Sequence, residues 1–409
     1  MSFQNQLEKY AELAVKTGVN VQPGQTLVIT ASIHTAELIR LIVEKSYQEG
    51  AKHVYVDWQD EVCTRLKYDL APDEAFEEFP LWKARGREEI AANGGAFLHV
   101  ESQNPELLKG VDPKRIAAFS KAAGNAMKKL REYILSDRIS WSIIAAPSPA
   151  WATKVFPDLD EKEAVERLWQ AIFHATRVDT ENPVEAWKQH SATLHEKMDF
   201  LNRKRFKKLH YRAPGTDLTV ELPDGHIWSG GSSKNERGIW FNANIPTEEV
   251  FTSPLKNGTQ GTVRSTKPLS YQGNLIEDFT LTFENGRVVD MHAKRGQETL
   301  KSLLELDEGA RHLGEIALVP HDSPISNSNL IFFNTLFDEN ASNHLALGKA
   351  FSSCIEGGTS MSREELEQAG LNDSLTHVDF MIGSADMDID GETADGRREP
   401  IFRKGNWAF

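Results

Sequence analysis

Cysteines, long apolar runs and targeting features are scarce in this sequence. Only two cysteines, Cys63 and Cys354, occur among 409 residues, too few for a disulfide framework or a zinc finger. We expect both to be buried as small apolar side chains in a reducing compartment. No segment approaches the roughly 18 uninterrupted apolar residues of a membrane-spanning helix, and the N-terminal sequence is typical of an amphipathic helix rather than a signal peptide. These absences predict a cytoplasmic protein without a membrane partner.

Clusters of positive charge are also missing. The chain carries 46 Lys and Arg residues against 60 Asp and Glu residues, for a formal net charge of −14 at pH 7, and no segment is rich in Lys and Arg. Such a protein repels the phosphates of nucleic acids and the head groups of anionic membranes. We therefore expect no nucleic acid partner, whereas local groups of carboxylates are suited to binding cations.

Several common catalytic and cofactor-binding motifs are absent or incomplete. No G-x-G-x-x-G or G-x-x-x-x-G-K motif follows a predicted strand, so nothing supports a nucleotide-binding role. The segment HEKMD (195–199) has Asp where the zinc motif H-E-x-x-H has its second His, and GGSSK (230–234) lacks the final Gly of a nucleophile elbow. We assign both segments to ordinary surface sequence.

The length of the chain and its first half predict two domains, the first of them α/β. Apolar runs typical of buried strands occur at TLVIT (26–30), GAFLHV (95–100) and WSIIAAP (141–147), and HVYVDW, from residue 53, begins another strand; helical patterns separate these segments. Such alternation favours a mostly parallel sheet. We predict an α/β N-terminal domain over residues 1–205.

The second half has a different pattern. A helical stretch from about residue 161 to 208, interrupted at Pro183, precedes it. The segments TDLTVEL (216–222) and HIWSGG (226–231) flank a Pro-Asp-Gly turn, and DFTLTFENGRVVDM carries Asn-Gly between two alternating segments, which is a strong hairpin signal. We predict an α+β C-terminal domain over residues 206–409, rich in antiparallel strands.

One aspartate-rich segment near the C-terminus imitates a calcium loop. Asp386, Asp388, Asp390 and Gly391 occupy its first, third, fifth and sixth places, but the twelfth place, which needs a bidentate Glu, is Arg397. A cation at that place repels the ion that the loop should bind, and no amphipathic helix precedes it. The pattern therefore argues against a calcium site.

The residues just before this segment are better suited to a metal. In an extended chain, His377 and Asp379 point to one face and Val378 and Phe380 to the other, so two ligand types converge on one side of a strand. The pair is equally compatible with a simple hydrogen bond.

Further carboxylates and histidines of the second half lie beside apolar or turn residues rather than in charged runs. A carboxylate there is costly to bury unless a cation or hydrogen bonds compensate it, and a pair of divalent ions sharing a carboxylate would support hydrolysis. Alternatively, Glu315 caps locally, His344 is a core helix residue and the Glu248–Glu249 pair faces solvent. The candidate residues are Glu248, Glu249, Glu315, Asp338, Glu339, His344, His377 and Asp379.

Four long segments resemble the signatures of the thermophilic-metalloprotease family of aminopeptidases. They are NIPTEEVFTSP (244–254), GEIALVPHDSPIS (314–326), FFNTLFDENASNHLALGKAF (332–351) and GLNDSLTHVDFMIGS (370–384). The resemblance covers the whole chain and places the metal site in the C-terminal domain. It implies an exopeptidase that removes residues from the free N-terminus of short peptides, uses two divalent ions (cobalt, zinc or magnesium) and forms homodimers.

The resemblance also implies a ligand set, and it alone favours Glu249 over Glu248. The implied metal ligands are Glu249, Glu315, His344, His377 and Asp379, with Glu339 as an addition. Glu315 is expected to bridge the ions, and Glu249 is the candidate for accepting the proton of the attacking water. The metal would then lie at the His377 end of the C-terminal segment, and the aspartate-rich part is expected to be a solvated turn.

One position departs from the family pattern. Phe351 stands where the family has an active-site tyrosine, seven residues after His344. If this segment is helical, the two side chains share a face, and Phe351 should look into the site. Either the phenyl ring only packs there, or the missing hydroxyl weakens catalysis. The leading hypothesis is therefore a metallo-aminopeptidase, the second an inactive peptide-binding homologue, and the third an unrelated metal amidohydrolase.

Overall fold

The structure is a computed structural model that describes residues 2–102, 104–271 and 274–409. Its α-helices are α1 (Phe3–Leu13), α2 (Ala36–Gln48), α3 (Glu61–Leu70), α4 (Leu81–Ala92), α5 (Pro113–Ala126), α6 (Lys128–Leu135), α7 (Pro149–Val155), α8 (Glu161–Ala175), α9 (Pro183–Lys204), α10 (Gln297–Leu304), α11 (Pro324–Ser328), α12 (Thr335–Asp338) and α13 (Arg363–Gln368). Among the residues described, none of these helices has the length and apolar character that crossing a membrane requires.

Strands dominate the second half of the chain, as the sequence predicts. They are β1 (Thr26–Ser32), β2 (His53–Gln59), β3 (Ala96–Glu101), β4 (Trp141–Ala145), β5 (Lys208–Ala213), β6 (Thr216–Glu221), β7 (Ser229–Gly230), β8 (Ser233–Lys234), β9 (Trp240–Phe241), β10 (Val250–Thr252), β11 (Thr259–Arg264), β12 (Leu269–Tyr271), β13 (Asn274–Glu284), β14 (Arg287–Arg295), β15 (Leu313–Leu318), β16 (His344–Gly348), β17 (His377–Met381), β18 (Asp388–Glu392), β19 (Arg398–Arg403) and β20 (Asn406–Trp407).

The chain forms two compact units. The first comprises Met1–His190 and Ser232–Pro246, and the second Ser191–Gly231 and Thr247–Phe409. The division falls inside α9, and a short later segment returns to the first unit. The domain boundary expected after residue 205 stays a prediction.

The first unit contains a parallel sheet in the order β2-β1-β3-β4. Each of its strands was predicted from the sequence, and β1 is buried along nearly its whole length, as expected for a strand covered on both faces. Helices connect successive strands, because parallel neighbours need a crossover. The predicted α/β class of this part of the chain is confirmed.

The second unit is built mainly from antiparallel strands. The larger sheet runs β12-β13-β11-β6-β5-β18-β19-β20, with β14 paired to β13, and the smaller one runs β17-β16-β15-β10-β7. The predicted Asn-Gly hairpin joins β13 to β14, and Asn285 and Gly286 both have the positive φ that such a turn requires. The segments flanking the Pro-Asp-Gly turn do not pair with each other, because β6 pairs with β5 and β11 whereas β7 pairs with β10.

Two local predictions were wrong. Cys63 is exposed on α3, and only Cys354 is buried. The solvated turn expected for the aspartate-rich segment is limited to the residues around Asp386, because the next residues form β18 between β5 and β19. The carboxylate of Asp388 accepts a hydrogen bond from the backbone N–H of Lys404 (2.9 Å). Ladder pairing and side-chain contacts, which a local motif does not reveal, order this segment.

The core of the second unit lies between its two sheets. Phe380 of β17 packs against Phe279 of β13, with ring centroids 5.5 Å apart. Leu345 and Leu347 of β16 and Ile316 of β15 join the same buried cluster. Since side chains alternate along a strand, the intervening residues of these three strands point to the opposite face of the smaller sheet.

Candidate metal centre

The face of the smaller sheet that turns away from this core carries most of the predicted ligands. His377 and Asp379 alternate with the core residues of β17, and His344 alternates with those of β16. Glu315 lies on the neighbouring strand β15. Period-two alternation therefore assembles residues that are far apart in sequence on one surface.

The register of the strands aligns two of these carboxylates. Glu315 pairs with Ala346, and Ala346 pairs with Asp379 on its other side. Ala346 thus lies between the two acidic residues in the ladder. A bulge interrupts β15 between residues 313 and 315. A Cβ on Gly314 would lie only 2.3 Å from the carbonyl oxygen of Lys349, so glycine is required for this close approach.

Two groups of potential metal donors result, and they share one residue. Glu249, Glu315 and His344 form the first group, and Glu315, His377 and Asp379 form the second. Within each group the donor atoms all lie within 4.8 Å of one another. Glu249, which immediately precedes β10, has its Oε2 atom 3.3 Å from Nε2 of His344, and Oε2 of Glu315 lies 2.9 Å from Nε2 of His377.

Backbone carbonyl groups orient both imidazoles. Nδ1 of His377 donates a hydrogen bond to the carbonyl oxygen of Lys349 (2.7 Å), and Nδ1 of His344 donates to that of Ser342 (3.2 Å). Because a carbonyl oxygen can only accept, each Nδ1 carries a proton, and Nε2 is the atom turned toward the carboxylates. Histidines that bind a metal through one ring nitrogen commonly donate a hydrogen bond from the other nitrogen in this way.

The electrostatics of the cluster favour positive charge. Burial raises the pKa of Glu315 to about 7, and the charges of Asp379 and Glu249 add to this effect. Burial opposes the protonation of the two histidines, but their carboxylate neighbours outweigh it and raise the pKa of His344 to about 10 and that of His377 to about 11. A site that stabilises imidazolium in this way also stabilises a bound cation.

A buried carboxylate oxygen of Asp379 indicates whether the residues of the second donor group suit a metal ion. Oδ1 of Asp379 lies 3.4 Å from Nε2 of His377 and is buried without a hydrogen-bond partner among the described residues. A buried carboxylate oxygen without a partner is costly. A divalent ion at the second donor group would compensate it, and oxygen and imidazole ligands suit zinc, cobalt, manganese or magnesium. The residues present therefore fit a metal.

Glu339 lies close to this cluster without belonging to either donor group. Its carboxyl group is buried, and burial together with the charges of Glu249 and Asp379 raises its pKa well above the usual value. Its role as an additional ligand stays a prediction. Asp338 has a different function, since its carboxylate accepts hydrogen bonds from the backbone N–H groups of Phe332 and Asn334.

Phe351 lies beside the site, but the backbone segment that places it there is not the helix we expected. The segment from His344 to Gly348 is strand β16 rather than a helix, so the argument from helical spacing was wrong, and His344 is not a core helix residue. The phenyl ring nevertheless lies beside His377, with ring centroids 4.8 Å apart, and meets Phe251 edge to face at 5.6 Å. The backbone N–H of Phe351 donates to Oγ of Ser253 (3.0 Å).

Sequence reasoning missed two polar residues that support the cluster. Ser253 fixes the backbone at Phe351, and Asn340, fully buried, contacts Glu339 and the backbone of Glu248. The only feature of the sequence that could have indicated Asn340 is its position directly after a predicted ligand, Glu339. Nothing in the sequence pointed to Ser253.

Comparisons with known proteins identify the family of this chain. The family model described as thermophilic metalloprotease (M29) matches residues 3–407. The chain is 61% identical to aminopeptidase AmpS of Bacillus subtilis over 408 residues, covering 100% of both sequences. It is 45% identical to aminopeptidase T of Thermus thermophilus over 406 residues, covering 99% of each.

A solved structure shows the same fold. The chain superimposes on wild-type AmpT from Thermus thermophilus with a TM-score of 0.94 and 44% sequence identity, covering 100% of both chains. The similarity extends over both compact units rather than a single motif.

Proposed function

The chain belongs to the thermophilic metalloprotease (M29) family and is a metallo-aminopeptidase, and we propose that it releases N-terminal residues from short peptides by using two divalent ions. The observation that carries the two-ion proposal is that Glu315 belongs to both donor groups. A carboxylate has two oxygen atoms and can serve two ions at once. Cobalt, zinc and magnesium are the candidate ions.

In this proposal the chain holds the ions through five side chains. Glu249 and His344 bind on one side of Glu315, and His377 and Asp379 bind on the other. When bound, the two ions would polarise the scissile carbonyl and lower the pKa of a water molecule. Glu249 would be the carboxylate that accepts a proton from that water. Phe351 offers no hydrogen-bond donor to the carbonyl oxygen, in contrast to a tyrosine.

The alternative of an inactive peptide-binding homologue is not favoured. The relatives compared with this chain carry the name aminopeptidase, and the five proposed ligands are all present. The ring of Phe351 already packs against His377 and Phe251, which is compatible with a supporting role at this position. The homodimer implied by the family resemblance is part of our proposal, and light scattering of the purified protein would test it.

Elemental analysis combined with a peptide panel tests the proposal. We expect two divalent ions per chain, and hydrolysis of leucine p-nitroanilide and of short free-amine peptides in the presence of cobalt. The matched N-acetylated peptides should resist, because an aminopeptidase recognises the free α-amino group. A single ion per chain would contradict the shared role of Glu315. Equal cleavage of acetylated peptides would favour an amidohydrolase of another kind.

A further inference from the structure

Asn340 joins two segments that carry proposed metal-binding groups. It follows Glu339 in the short turn after α12, and none of its surface is exposed to solvent. Its Oδ1 atom accepts a hydrogen bond from the backbone N–H of Glu248 at 2.8 Å, although the two residues are 92 positions apart. Its Nδ2 atom donates to the carbonyl oxygen of Leu336 (3.1 Å) and to Oε1 of Glu339 (3.4 Å).

The chemistry of these three partners fixes the orientation of the amide group. A backbone N–H can only donate and a carbonyl oxygen can only accept, and Oε1 of Glu339 accepts from the same NH₂ group as the carbonyl does. Rotating the amide by 180° would place an NH₂ group against the N–H of Glu248 and an oxygen atom against the carbonyl of Leu336. Asparagine in one orientation satisfies all three partners.

The position of this hydrogen bond matters for the metal centre. Glu248 immediately precedes Glu249, which in turn precedes β10, so the bond to its N–H restrains the backbone from which Glu249 projects. At its other end the same amide donates to Glu339, whose carboxylate is close enough to Glu249 to interact electrostatically. One neutral side chain thus sets the position of two acidic side chains that repel each other.

We propose that Asn340 is a positioning residue of the metal centre, which holds Glu249 in the geometry that binds the ions and fixes the neighbouring Glu339 beside it. The inference rests on the proposed two-metal function. Restrained ligands bind a metal more tightly, because less conformational freedom is lost on binding. Residues that do not bind the metal but hydrogen-bond to its ligands typically contribute roughly 10-fold to 100-fold to metal affinity.

Asn340→Asp is the most direct test, because it keeps the shape and the acceptor for the N–H of Glu248 but replaces the NH₂ group by an oxygen facing Glu339. We expect Co²⁺ affinity, measured by calorimetry on metal-free protein, to fall by roughly 10-fold to 100-fold. The visible absorption spectrum of bound Co²⁺ should change as well. Asn340→Ser, which removes the bridge without adding a charge, should weaken binding in the same direction if the aspartate variant does not fold.

Asn327→Asp is the matched control, since Nδ2 of Asn327 also donates to a carboxylate, that of Asp322 (2.8 Å), at an exposed position. It should bind Co²⁺ as the wild type does. A purely structural role would lower the melting temperature of metal-free Asn340 variants and leave the Co²⁺ affinity and spectrum of the folded protein unchanged. That result would overturn the inference. If the wild type itself failed to bind two ions, the proposed function would fail instead.

Discussion

The phenyl ring of Phe351 lies against the imidazole of His377, with ring centroids 4.8 Å apart and the ring planes inclined by 51°. A side chain at position 351 therefore contacts a proposed metal ligand directly. The second ring nearby belongs to Phe251, so the surroundings of the phenyl group are aromatic.

The substitution Phe351→Tyr adds one hydroxyl group to a half-buried ring beside the cluster. If that hydroxyl donates to the carbonyl oxygen as negative charge develops, kcat should rise on the order of 100-fold, as for a single oxyanion donor. KM should change only a few-fold, because the bond is strongest in the transition state. Steady-state kinetics on a free-amine peptide measure both. Brisk wild-type turnover with kcat unaltered in the variant would mean that residue 351 contributes packing alone.

Replacing Glu315 or His377 by alanine should abolish metal binding at one or both donor groups. Loss of one ligand from a compact cluster leaves the remaining carboxylates to repel one another. Elemental analysis after dialysis gives the number of ions per chain, and the exposed His292 provides an alanine control on β14. Two ions per chain in both ligand variants would refute the assignment.

Asp388→Asn should change neither metal content nor activity. The residue belongs to strand β18, and its Oδ1 atom accepts the backbone N–H of Lys404, a bond that an amide oxygen can also accept. Arg397 also stands at the position where a calcium loop needs a bidentate Glu ligand. A substantial loss of bound metal, measured by the same elemental analysis, would show that the aspartate-rich segment does bind an ion.

The two cysteines should differ sharply in reactivity. Burial, with a further contribution from the charge of Glu315, raises the pKa of Cys354 to about 12, so almost none of it is thiolate at pH 8, whereas Cys63 is exposed. Since the thiolate is the nucleophile, a disulfide reagent should modify one thiol per folded chain and two after denaturation. Cys63→Ser should remove the fast reaction. Rapid modification of two thiols in the folded protein would contradict this burial.

The local sequence was sufficient to predict structural elements that depend on neighbouring residues in the chain. Apolar runs identified β1, β3 and β4, and Asn285–Gly286 identified the hairpin of β13 and β14. The alternation of His377 and Asp379 placed both on one face of a strand, as the structure has them. These features depend on neighbours in the chain, so a sequence displays them.

Features that depend on distant partners were not predictable in the same way. The sequence HLALG contains good helix formers, yet it forms β16 because β15 and β17 pair with it on both sides. The choice of Glu249 over Glu248 needed the family resemblance. The role of Asn340 depends on a contact across 92 positions, and no periodicity signals such a contact.

The pairing of Ala346 between Glu315 and Asp379 has a consequence for heat resistance. Neighbouring strands lie roughly 4.8 Å apart, so two strand spacings, maintained by hydrogen-bonded peptide groups, separate the backbones that carry these carboxylates. The paired strands therefore set the separation of two carboxylates that belong to the second donor group. Warming loosens loops first and a paired sheet last, so the distance across the metal centre should remain constant until the second unit itself melts.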